Sequence, residues 1–416
     1  MKSKSLFFLP ICFLLICCTK KADSTLANLS PRTYFITSYG AATSLPDNAV
    51  AVQKAIDSCS SAGGGTVEVP AGTFLCGPVL MKSNINFQLD NGSVLKVLPY
   101  GTDPAATPST IVPFIDCNGI NNFSITGTGT IEGQGGDWWT AFHGNKSVIR
   151  PVMIPLIGSR NAKIMGITIQ NAPNVHIGVG RKCNMVNISG VTINSPSNSP
   201  NTDGIDTWSP NVSITNCHIS CGDDNIAVDS YSAYINIKGC TFGTGHGCSI
   251  GSYTTDVHDI NVDSCIFNST TTGVRIKSNR GRSGIVQNIT YSNITMTNVA
   301  NAINITCYYP KTPLSPTADS AQATTALTPD YKNIILKNIT AIGTNKAGVM
   351  WGLPEQPIQN IVFDNVKITA ATGLKAYFVS GAIFKNSSQI TVSTGDALNT
   401  YYASVLGINL VTGQPQ

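Results

Sequence analysis

A repeat of about 25 residues constrains the fold of this chain more than any other feature of its sequence. The unit is apolar-x-apolar-x-x-apolar-x-apolar, and it usually follows an asparagine. The third apolar position keeps one register, with steps of 23 to 29 residues and one step of 45. It is occupied by Ile167, Val191, Cys217, Cys240, Cys265, Ile294, Ile339 and Val366. A fixed period of this length is typical of a solenoid, in which each repeat is one coil.

The spacing within the repeat indicates that each coil is built from short β-strands. Alternate apolar residues place their side chains on one face of a strand. Coils of two or three such strands, stacked on one another, form a parallel β-helix in which each coil buries its apolar face against its neighbours. We therefore predict an all-β chain, a right-handed parallel β-helix, with residues 34–416 forming a single domain. A charged fraction of 12% and 38 glycines fit a turn-rich chain of this kind.

Ten cysteines follow residue 18, and three of them, Cys217, Cys240 and Cys265, occupy the inward register of the repeat. A buried thiol at such a position behaves as a small apolar group. Disulfides are possible in an exported protein, but the register favours free, stacked thiols. No pair of cysteines or His–Cys cluster has the spacing of a metal site, so we expect neither a metal nor a cofactor.

The first 17 residues have the pattern of an export signal. Two lysines precede an apolar run that is too short for an ordinary transmembrane helix. The run ends Leu-Ile-Cys-Cys, which resembles the bacterial lipoprotein box, with cleavage before Cys18 and a lipid on its sulfur. An ordinary signal that is cleaved near Ala22 is the alternative. We expect residues 18–33 to form a polar tether, and the protein to be exported, either anchored to a bacterial membrane, in the periplasm or at the cell surface, or secreted.

A helix is predicted before the first coils. Residues 34–58 have the pattern of a strand, a turn and a helix, with Asp47 as the N-cap and with Val50 and Ile56 on the apolar side. Because the end of a β-helix is an open sheet edge, we expect this helix to cover it.

Four polar clusters recur at intervals close to the length of the repeat. They are Asn201-Thr202-Asp203-Gly204, Gly222-Asp223-Asp224, Gly245-His246-Gly247 and Arg275-Ile276-Lys277. Consecutive coils lie about 4.8 Å apart, so residues one period apart lie above one another. The periodicity therefore predicts one patch on one face, formed by Asp203, Asp223, Asp224, His246, Arg275 and Lys277.

Three carboxylates crowded into one patch cannot all ionise freely, so the pKa of at least one should be raised. A carboxyl with a raised pKa can act as a general acid, and an ionised one can activate water. These are the groups that glycoside hydrolysis needs, and carboxyls about 6.5–9.5 Å apart leave room for a water and give inversion. A turn-supporting ladder of Asn and Asp side chains is the alternative, and it would explain an isolated aspartate better than these aligned clusters.

Arg275 and Lys277 are two residues apart and therefore share one face of a strand. A guanidinium and an ammonium suit the carboxylate of an anionic substrate. Internal ion pairing with the aspartates is the alternative, and both can hold in the empty protein.

Two further sites carry side chains that could contact a substrate. His176 lies about one period before Asn201, at the edge of the same face, as a substrate contact or as a structural residue. Trp138 and Trp139 could stack on a sugar ring, but packing within a loop explains them better.

Together, these clusters resemble the motifs of glycoside hydrolase family 28, the polygalacturonases and related pectin hydrolases. The matching segments are 199–206 (Ser-Pro-Asn-Thr-Asp-Gly-Ile-Asp), 222–224, 245–252 and 273–277. Supporting matches are Tyr-Gly-Ala at 39–41, Gly-Gln-Gly at 133–135 with the two tryptophans, and Gly-Leu-Pro-Glu at 352–355. The resemblance covers about residues 34 to 370, and four motifs in order at coil spacing make it specific.

The resemblance implies a β-helix of the pectin-hydrolase type that cleaves α-1,4-galacturonosyl linkages of pectin or polygalacturonate with inversion and without a metal. Asp223 would protonate the glycosidic oxygen, Asp203 and Asp224 would hold and deprotonate the water, and His246 would tune the acid. The substrate would be bound by Asn201, Arg275, Lys277 and Tyr309, with His176 beside them. Tyr309 matches a family tyrosine that packs against the bound sugar.

The chain departs from the family pattern at two places. Asn225 stands where fungal members often carry a cysteine, so the resemblance does not imply their disulfide here. The Pro/Thr/Ala-rich insertion 310–330 accounts for the 45-residue step. It either walls the cleft and favours cutting at chain ends, or is a surface loop.

Other functions stay open from the sequence. A hydrolase of rhamnogalacturonan or of another decorated pectin would use the same fold. A pectate lyase would need a calcium site and a basic residue, and a non-catalytic polysaccharide-binding β-helix would be expected to lack the aspartates. The net charge of +4 does not suggest a nucleic-acid surface. We expect a monomer whose partner is a pectic polysaccharide and which meets a membrane only through a lipid anchor.

Overall fold

The apolar repeat folds into stacked coils of parallel strands, the predicted architecture. A computed structural model describes residues 32–102 and 112–416 of the chain. The predicted signal, Cys18 and nearly all of the predicted tether lie outside the described residues. The first strand begins at Thr33, one residue before the predicted start of the domain.

Equivalent strands of successive coils pair in parallel along three faces. The site face contains Ile154–Leu156, Ile177–Val179, Ile205–Thr207, Ile226–Val228, Cys248–Ile250, Thr272–Lys277 and Asn301–Thr306. The second face contains Thr33–Phe35, Gly65–Val69, Ile85–Leu89, Asn121–Gly127, Arg160–Met165, Asn184–Ser189, Val212–Thr215, Ala233–Lys238 and Val257–Asp263. The third face contains Gly72–Cys76, Ser93–Val97, Thr130–Glu132, Thr168–Gln170, Thr192–Asn194, His218–Ser220, Thr241–Phe242 and Ile266–Asn268.

Long strands join these faces toward the C-terminal end. Ile285–Thr297 continues the second and third faces, while Asp330–Trp351 and Ile358–Lys385 run across all three. Gln389–Val392 and Leu398–Leu406 pair with the last of these strands. Val79–Leu80 and Ile115–Asp116 form a separate pair.

The third apolar position of the repeat lies in the core, as predicted. All eight of its residues are at most 3% exposed. The thiols of Cys217, Cys240 and Cys265 are buried and free, as are the other seven cysteines of the described residues. The prediction of stacked, unpaired thiols is confirmed.

Asparagine precedes the repeat because it occupies a turn with left-handed backbone. Asn333 and Asn360 have φ values of +55° and +54°, a region that asparagine tolerates better than most residues. The side-chain amide of Asn360 donates to that of Asn333 at 3.2 Å, and the amide of Asn333 donates to that of Asn288 at 3.4 Å. The stacked amides therefore fix one coil over the next.

A short helix and a longer one lie near the start of the described residues. A 3₁₀ helix, Ile36–Tyr39, precedes the predicted helix, which spans Ala49–Ser61 and packs against the first strands. The α-helix buries Val52, Ile56 and Cys59. Among the described residues, no helix is both long enough and apolar enough to cross a membrane.

The start of the α-helix differs in detail from the prediction. Asn48, and not Asp47, is the N-cap residue. Asp47 Oδ1 still accepts a hydrogen bond from the backbone N–H of Ala49 at 2.8 Å, so the carboxylate stabilises the first turn from one position earlier. Val50 was expected on the apolar side of the helix. It is exposed, because it lies on the side opposite to the buried residues.

A second helix, Gly135–Gly144, contains both tryptophans. Trp138 is buried against Tyr100, with ring centroids 4.7 Å apart, and Trp139 Nε1 donates to the backbone oxygen of Ala172 at 3.1 Å. Packing thus explains both side chains, as predicted.

Candidate active site

The four polar clusters meet on the site face, in the arrangement that the repeat predicts. The turns before successive strands are joined by backbone hydrogen bonds: Gly204 N–H donates to Asp224 O at 2.9 Å, and His246 N–H donates to Asp223 O at 2.8 Å. Arg275 pairs in register with Ser249 on the neighbouring strand. Coil stacking alone therefore brings together residues that are more than 70 positions apart in the chain.

Asp224, Arg275, Lys277 and Ser249 form a buried group that we call the cation clamp. Lys277 Nζ donates to Asp224 Oδ2 at 2.8 Å, while Ser249 Oγ, at 2.7 Å, and Arg275 Nη1 both donate to Asp224 Oδ1. Burial opposes ionisation of Asp224, but the His246 hydrogen bond and the charges of Lys277 and Arg275 outweigh it and hold its pKa well below the usual range. Asp224 is therefore a fixed negative charge.

Asp223 and His246 form a second, more exposed group that we call the acid pair. His246 Nδ1 lies 3.0 Å from Asp223 Oδ1. Hydrogen bonding to Asp223, and then to Asp224, raises the pKa of His246 to about 9 despite its burial. His246 is thus an imidazolium at neutral pH, and Nδ1 donates to the Asp223 carboxylate.

Arg150 orients the other side of Asp223 and was not among the predicted site residues. Its buried guanidinium donates to Asn201 Oδ1 at 2.9 Å and lies 3.8 Å from the ring centroid of Phe142. It also donates to the backbone oxygens of Pro173, at 2.9 Å, and Pro200. Because Arg150 holds the amide oxygen of Asn201, the amide nitrogen faces Asp223 and donates to its Oδ2 at 3.2 Å.

Three further carboxyls lie at or beneath this patch. Burial, followed by the charges of Asp223 and Asp224, raises the pKa of Asp203 well above its usual range, which confirms the expectation of a raised carboxyl pKa. Burial likewise raises the pKa of Asp206, whose Oδ1 has no hydrogen-bond partner among the described residues. Burial raises the pKa of Asp229 to about 7. Neither Asp206 nor Asp229 was predicted to take part.

Asp223 and Asp224 are closer together than the spacing expected of an inverting pair. Together with His246, they offer side-chain atoms that all lie within 4.8 Å of one another. Both carboxylates lie close to the same imidazole nitrogen, with His246 Nδ1 3.0 Å from Asp223 Oδ1 and 3.5 Å from Asp224 Oδ1, which keeps them together. Of the three predicted aspartates, only Asp203, on the neighbouring coil, can provide a wider gap from Asp223.

A metal ion could be held by a group of three or more His, Cys, Asp or Glu side chains. Within the described part of the chain, the only such group is Asp223, Asp224 and His246. The cation clamp places two positive side chains on Asp224. A metal ion there would have to approach Arg275 and Lys277, which repel it. The site fits charge neutralisation by side chains better than by a metal.

His176 does not line the cleft, and the predicted substrate contact is wrong. Its side chain is fully buried, which lowers its pKa to about 4 and keeps it neutral. Nδ1 donates to the backbone oxygen of Asp203 at 2.9 Å, so Nε2 accepts from Ser195 Oγ at 2.9 Å. His176 therefore supports the turn that carries Asp203.

The two adjacent tyrosines differ in their contacts. The ring of Tyr309 lies 4.9 Å from Lys277 Nζ, next to the cation clamp. Tyr308 is buried and donates to Asp319 Oδ2 at 2.7 Å. Of the two, Tyr309 is the one that contacts the site.

The insertion 310–330 is fastened beside the site through Asp319. Arg280 Nη2 donates to Asp319 Oδ2 at 2.7 Å and to Glu355 Oε2 at 2.9 Å. A cavity of about 330 Å³ lies next to this anchor and is lined in part by Tyr309 and Arg280. The insertion is therefore held next to the cavity that Tyr309 lines.

Asn225, which follows the two adjacent aspartates, is held by a hydrogen-bond network. Its Nδ2 donates to the backbone oxygens of Ile219 and Thr244, both at 2.9 Å, and its Oδ1 accepts from Gly247 N–H at 2.7 Å. A Cβ at Gly245 would lie 2.5 Å from the Asn225 side chain, so only glycine fits there. Asn225 thus joins the turns around Asp224 and His246 without a disulfide.

Comparison with known proteins gives concordant matches. The family model of glycosyl hydrolases family 28 matches residues 59–388. An endo-polygalacturonase of Pectobacterium carotovorum subsp. carotovorum is 33% identical over 350 residues, which cover 77% of this chain and 83% of the relative. A probable polygalacturonase of Arabidopsis thaliana is 32% identical over 90% of this chain and 78% of its own. The solved polygalacturonase of Erwinia carotovora ssp. carotovora superposes with a TM-score of 0.74 at 30% identity, over 86% of this chain and 97% of that one.

Proposed function

Since the chain belongs to family 28 of the glycosyl hydrolases, we propose that it hydrolyses the α-1,4-galacturonosyl linkages of pectin or polygalacturonate with inversion. The observation that carries the proposal is that the acid pair, with its protonated His246, lies beside the buried ion pairs of the cation clamp on one face. Two carboxyls with opposite surroundings are what an acid and a base for glycoside hydrolysis require.

The acid pair supplies the proton for the leaving group. At neutral pH, one proton lies between Asp223 and His246, because the pKa of His246 is about 9. Asp223 is the more exposed of the two adjacent aspartates, with 23% of its side chain accessible against 4% for Asp224. As the bond to the anomeric carbon breaks, the Nδ1 proton of His246 moves to Asp223 and from its carboxyl to the glycosidic oxygen, which leaves His246 neutral.

Asp203 and Asp224 activate the water. Asp203, on the neighbouring coil, takes the proton of the attacking water in its ionised form, and burial and the charges of Asp223 and Asp224, which raise its pKa, favour keeping that proton. Asp224 stays ionised in the cation clamp and fixes the water by accepting its other hydrogen. The water oxygen bonds to the anomeric carbon from the face opposite to the leaving group, which inverts that carbon.

The cation clamp also binds the substrate carboxylate. Arg275 Nη1 donates to Asp224 and Ser249, whereas Nη2 makes no hydrogen bond within the described residues. Lys277 has two N–H donors beyond the one that it gives Asp224. These unused donors suit a galacturonate carboxylate, and Tyr309 and Asn201 flank it.

Digestion of polygalacturonate by the purified mature protein in the presence of EDTA tests the proposal. New reducing ends without ultraviolet-absorbing unsaturated ends are expected, and Asp223→Asn should form them about 10³-fold more slowly. Anomeric proton NMR of the first product should show the inverted configuration. Unsaturated ends would establish a lyase instead. If polygalacturonate is not cleaved, rhamnogalacturonan or another decorated pectin becomes the proposed substrate.

The same proposal includes export and a lipid on Cys18. Its support is the lysine-containing start, the short apolar run and the Leu-Ile-Cys-Cys ending. Cys18→Ser should move the protein from the membrane fraction to the soluble one in a bacterial host. If the distribution between the two fractions does not change, the alternative, an ordinary signal that is cleaved near Ala22, is favoured.

A further inference from the structure

A row of aromatic and basic side chains borders the site along one edge of the site face. Trp208, Tyr253 and Arg282, which we call the rim, lie in the turns that directly follow the strands Ile205–Thr207, Cys248–Ile250 and Thr272–Lys277. Because these strands pair in parallel register, their following turns lie along one edge. Three steps between coils give the rim a length of about 14 Å.

The rim is continuous with the active site. The ring centroids of Trp208 and Tyr253 are 5.7 Å apart, and the guanidinium of Arg282 lies 5.1 Å from the Tyr253 ring. Arg282 also lies 5.7 Å from the ring of Tyr309, which contacts Lys277. An unbroken series of contacts thus runs from the cation clamp to Trp208.

The backbone of the rim is held rigidly while its side chains stay accessible. Tyr253 N–H donates to Asp229 Oδ1 at 3.0 Å and Trp208 N–H donates to Val179 O at 2.8 Å, yet 48% of Tyr253 is exposed and Trp208 is half-buried. A fixed aromatic residue with an open face loses little entropy when a ligand packs on it. Packing within the protein does not need that exposure.

Arg282 is a cation without an anionic partner. It donates to Asn279 Oδ1 at 3.1 Å and to the backbone oxygen of Tyr309 at 3.2 Å, and it makes no salt bridge within residues 32–102 and 112–416. By contrast, Arg280, two residues earlier, is paired with both Asp319 and Glu355. Arg282 therefore keeps free donors beside two aromatic rings.

We propose that the rim binds the uronate residues of the substrate that lie beyond the reacting bond. Aromatic faces pack against the apolar faces of sugar rings, and a guanidinium binds a carboxylate. A chain of acidic sugars presents both groups along its length. The inference rests on the proposed function and extends it from one linkage to a run of several uronates. Binding energy gained there helps to place the reacting bond against the acid pair.

The test compares the wild type, the double variant Trp208→Ala/Tyr253→Ala and the control Tyr234→Ala. Tyr234 is 61% exposed and packs against His258 on the second face, away from the rim. For each protein, kcat/KM is measured on polygalacturonate and on the shortest oligogalacturonate that the wild type cleaves, and thermal unfolding checks the fold.

In the double variant, the ratio of kcat/KM on polygalacturonate to that on the shortest substrate should fall about tenfold, mainly through KM. Tyr234→Ala should keep the wild-type ratio. Arg282→Gln should raise KM for polygalacturonate about threefold and weaken its dependence on salt.

A ratio that stays at the wild-type value in the double variant, or an equal loss on both substrates, would overturn the rim as a binding surface while leaving the proposed function intact. A wild type that cleaves no galacturonan would instead remove the proposed function, and the uronate assignment of the rim with it. Calorimetric titration of long oligogalacturonates into Asp223→Asn, with and without the rim substitutions, gives an independent result: the substitutions should weaken binding about tenfold. Unchanged affinity would contradict the proposal.

Discussion

Asp223 and Asp224 are consecutive residues, yet the acid pair and the cation clamp give them opposite surroundings. Asp223 is partly exposed and accepts a hydrogen bond from protonated His246, while Asp224 is buried and held by the side chains of Arg275 and Lys277. One turn therefore presents a proton donor and a fixed anion side by side. The difference shows that the role of each carboxyl is set by its partners on the next coils and not by its residue type.

Substitution of the acid pair should affect activity most. Asp223→Asn is expected to lower kcat/KM on polygalacturonate by about 10³-fold, because the leaving oxygen is no longer protonated. The unfolding free energy should change little, since the new amide stays partly exposed. Asp364→Asn, which alters a carboxylate outside the site, is the control. An Asp223→Asn enzyme within tenfold of wild type would contradict the role of the acid pair.

The cation clamp should matter for stability as well as activity. Asp224→Asn leaves Arg275 and Lys277 buried without a counter-charge, which is expected to cost about 3–5 kcal/mol of unfolding free energy. Denaturant titration measures this cost against Asp223→Asn. Adding Lys277→Met to Asp224→Asn should recover part of the loss. If Asp224→Asn and Asp223→Asn had the same unfolding free energy, the cation clamp would not depend on its buried carboxylate more than the acid pair does, which would contradict the account.

The proton of the acid pair predicts the alkaline limit of the enzyme. Since the pKa of His246 is about 9, kcat/KM should fall as the pH rises through about 9, and His246→Gln should move that limit to lower pH. The pKa is raised above the ordinary 6.5, so the stabilisation from His246 is complete below pH 6.5 and is lost as the pH rises through about 9. The unfolding free energy of the wild type should show this loss, and that of His246→Gln should not.

Substitution of Arg150 should test whether activity depends on the orientation of the Asp223 carboxylate, which Arg150 fixes through Asn201. Arg150→Met frees the amide of Asn201, and kcat is expected to fall about tenfold with a smaller change in KM. Lys146→Ala is a matched control, because Lys146 also contacts the ring of Phe142, at 4.3 Å, and has no hydrogen bond to Asn201. A loss confined to KM would show that Arg150 acts on substrate binding instead.

The coil stack and the main site residues could be predicted from the sequence because both follow from one period. Cys217 and Cys240 lie at equivalent positions of successive coils, and so do Asp203 and Asp224, although the turns between them differ in length. The family resemblance added the chemistry. Asn225 lies at a departure from the family pattern, and its side chain makes three hydrogen bonds to the turns around it.

The residues that escaped prediction act through contacts that have no fixed spacing. Arg150 reaches Asn201 from a loop 51 positions earlier, outside the repeat. His176 has the right period for the site face, but its imidazole turns inward, toward Ser195, and sequence spacing does not specify that direction. Trp208, Tyr253 and Arg282 lie in separate turns, and only the three-dimensional stack places them on one edge.

The most direct test of the central claim, that Asp223 supplies the proton, uses a galacturonoside with a leaving group that needs no protonation, such as a nitrophenol. The account predicts that Asp223→Asn loses about 10³-fold in kcat/KM on polygalacturonate but much less on the activated substrate, whereas Asp203→Asn loses activity on both. An equal loss for Asp223→Asn on the two substrates would contradict the account, because the carboxyl would then act at a step other than departure of the leaving group.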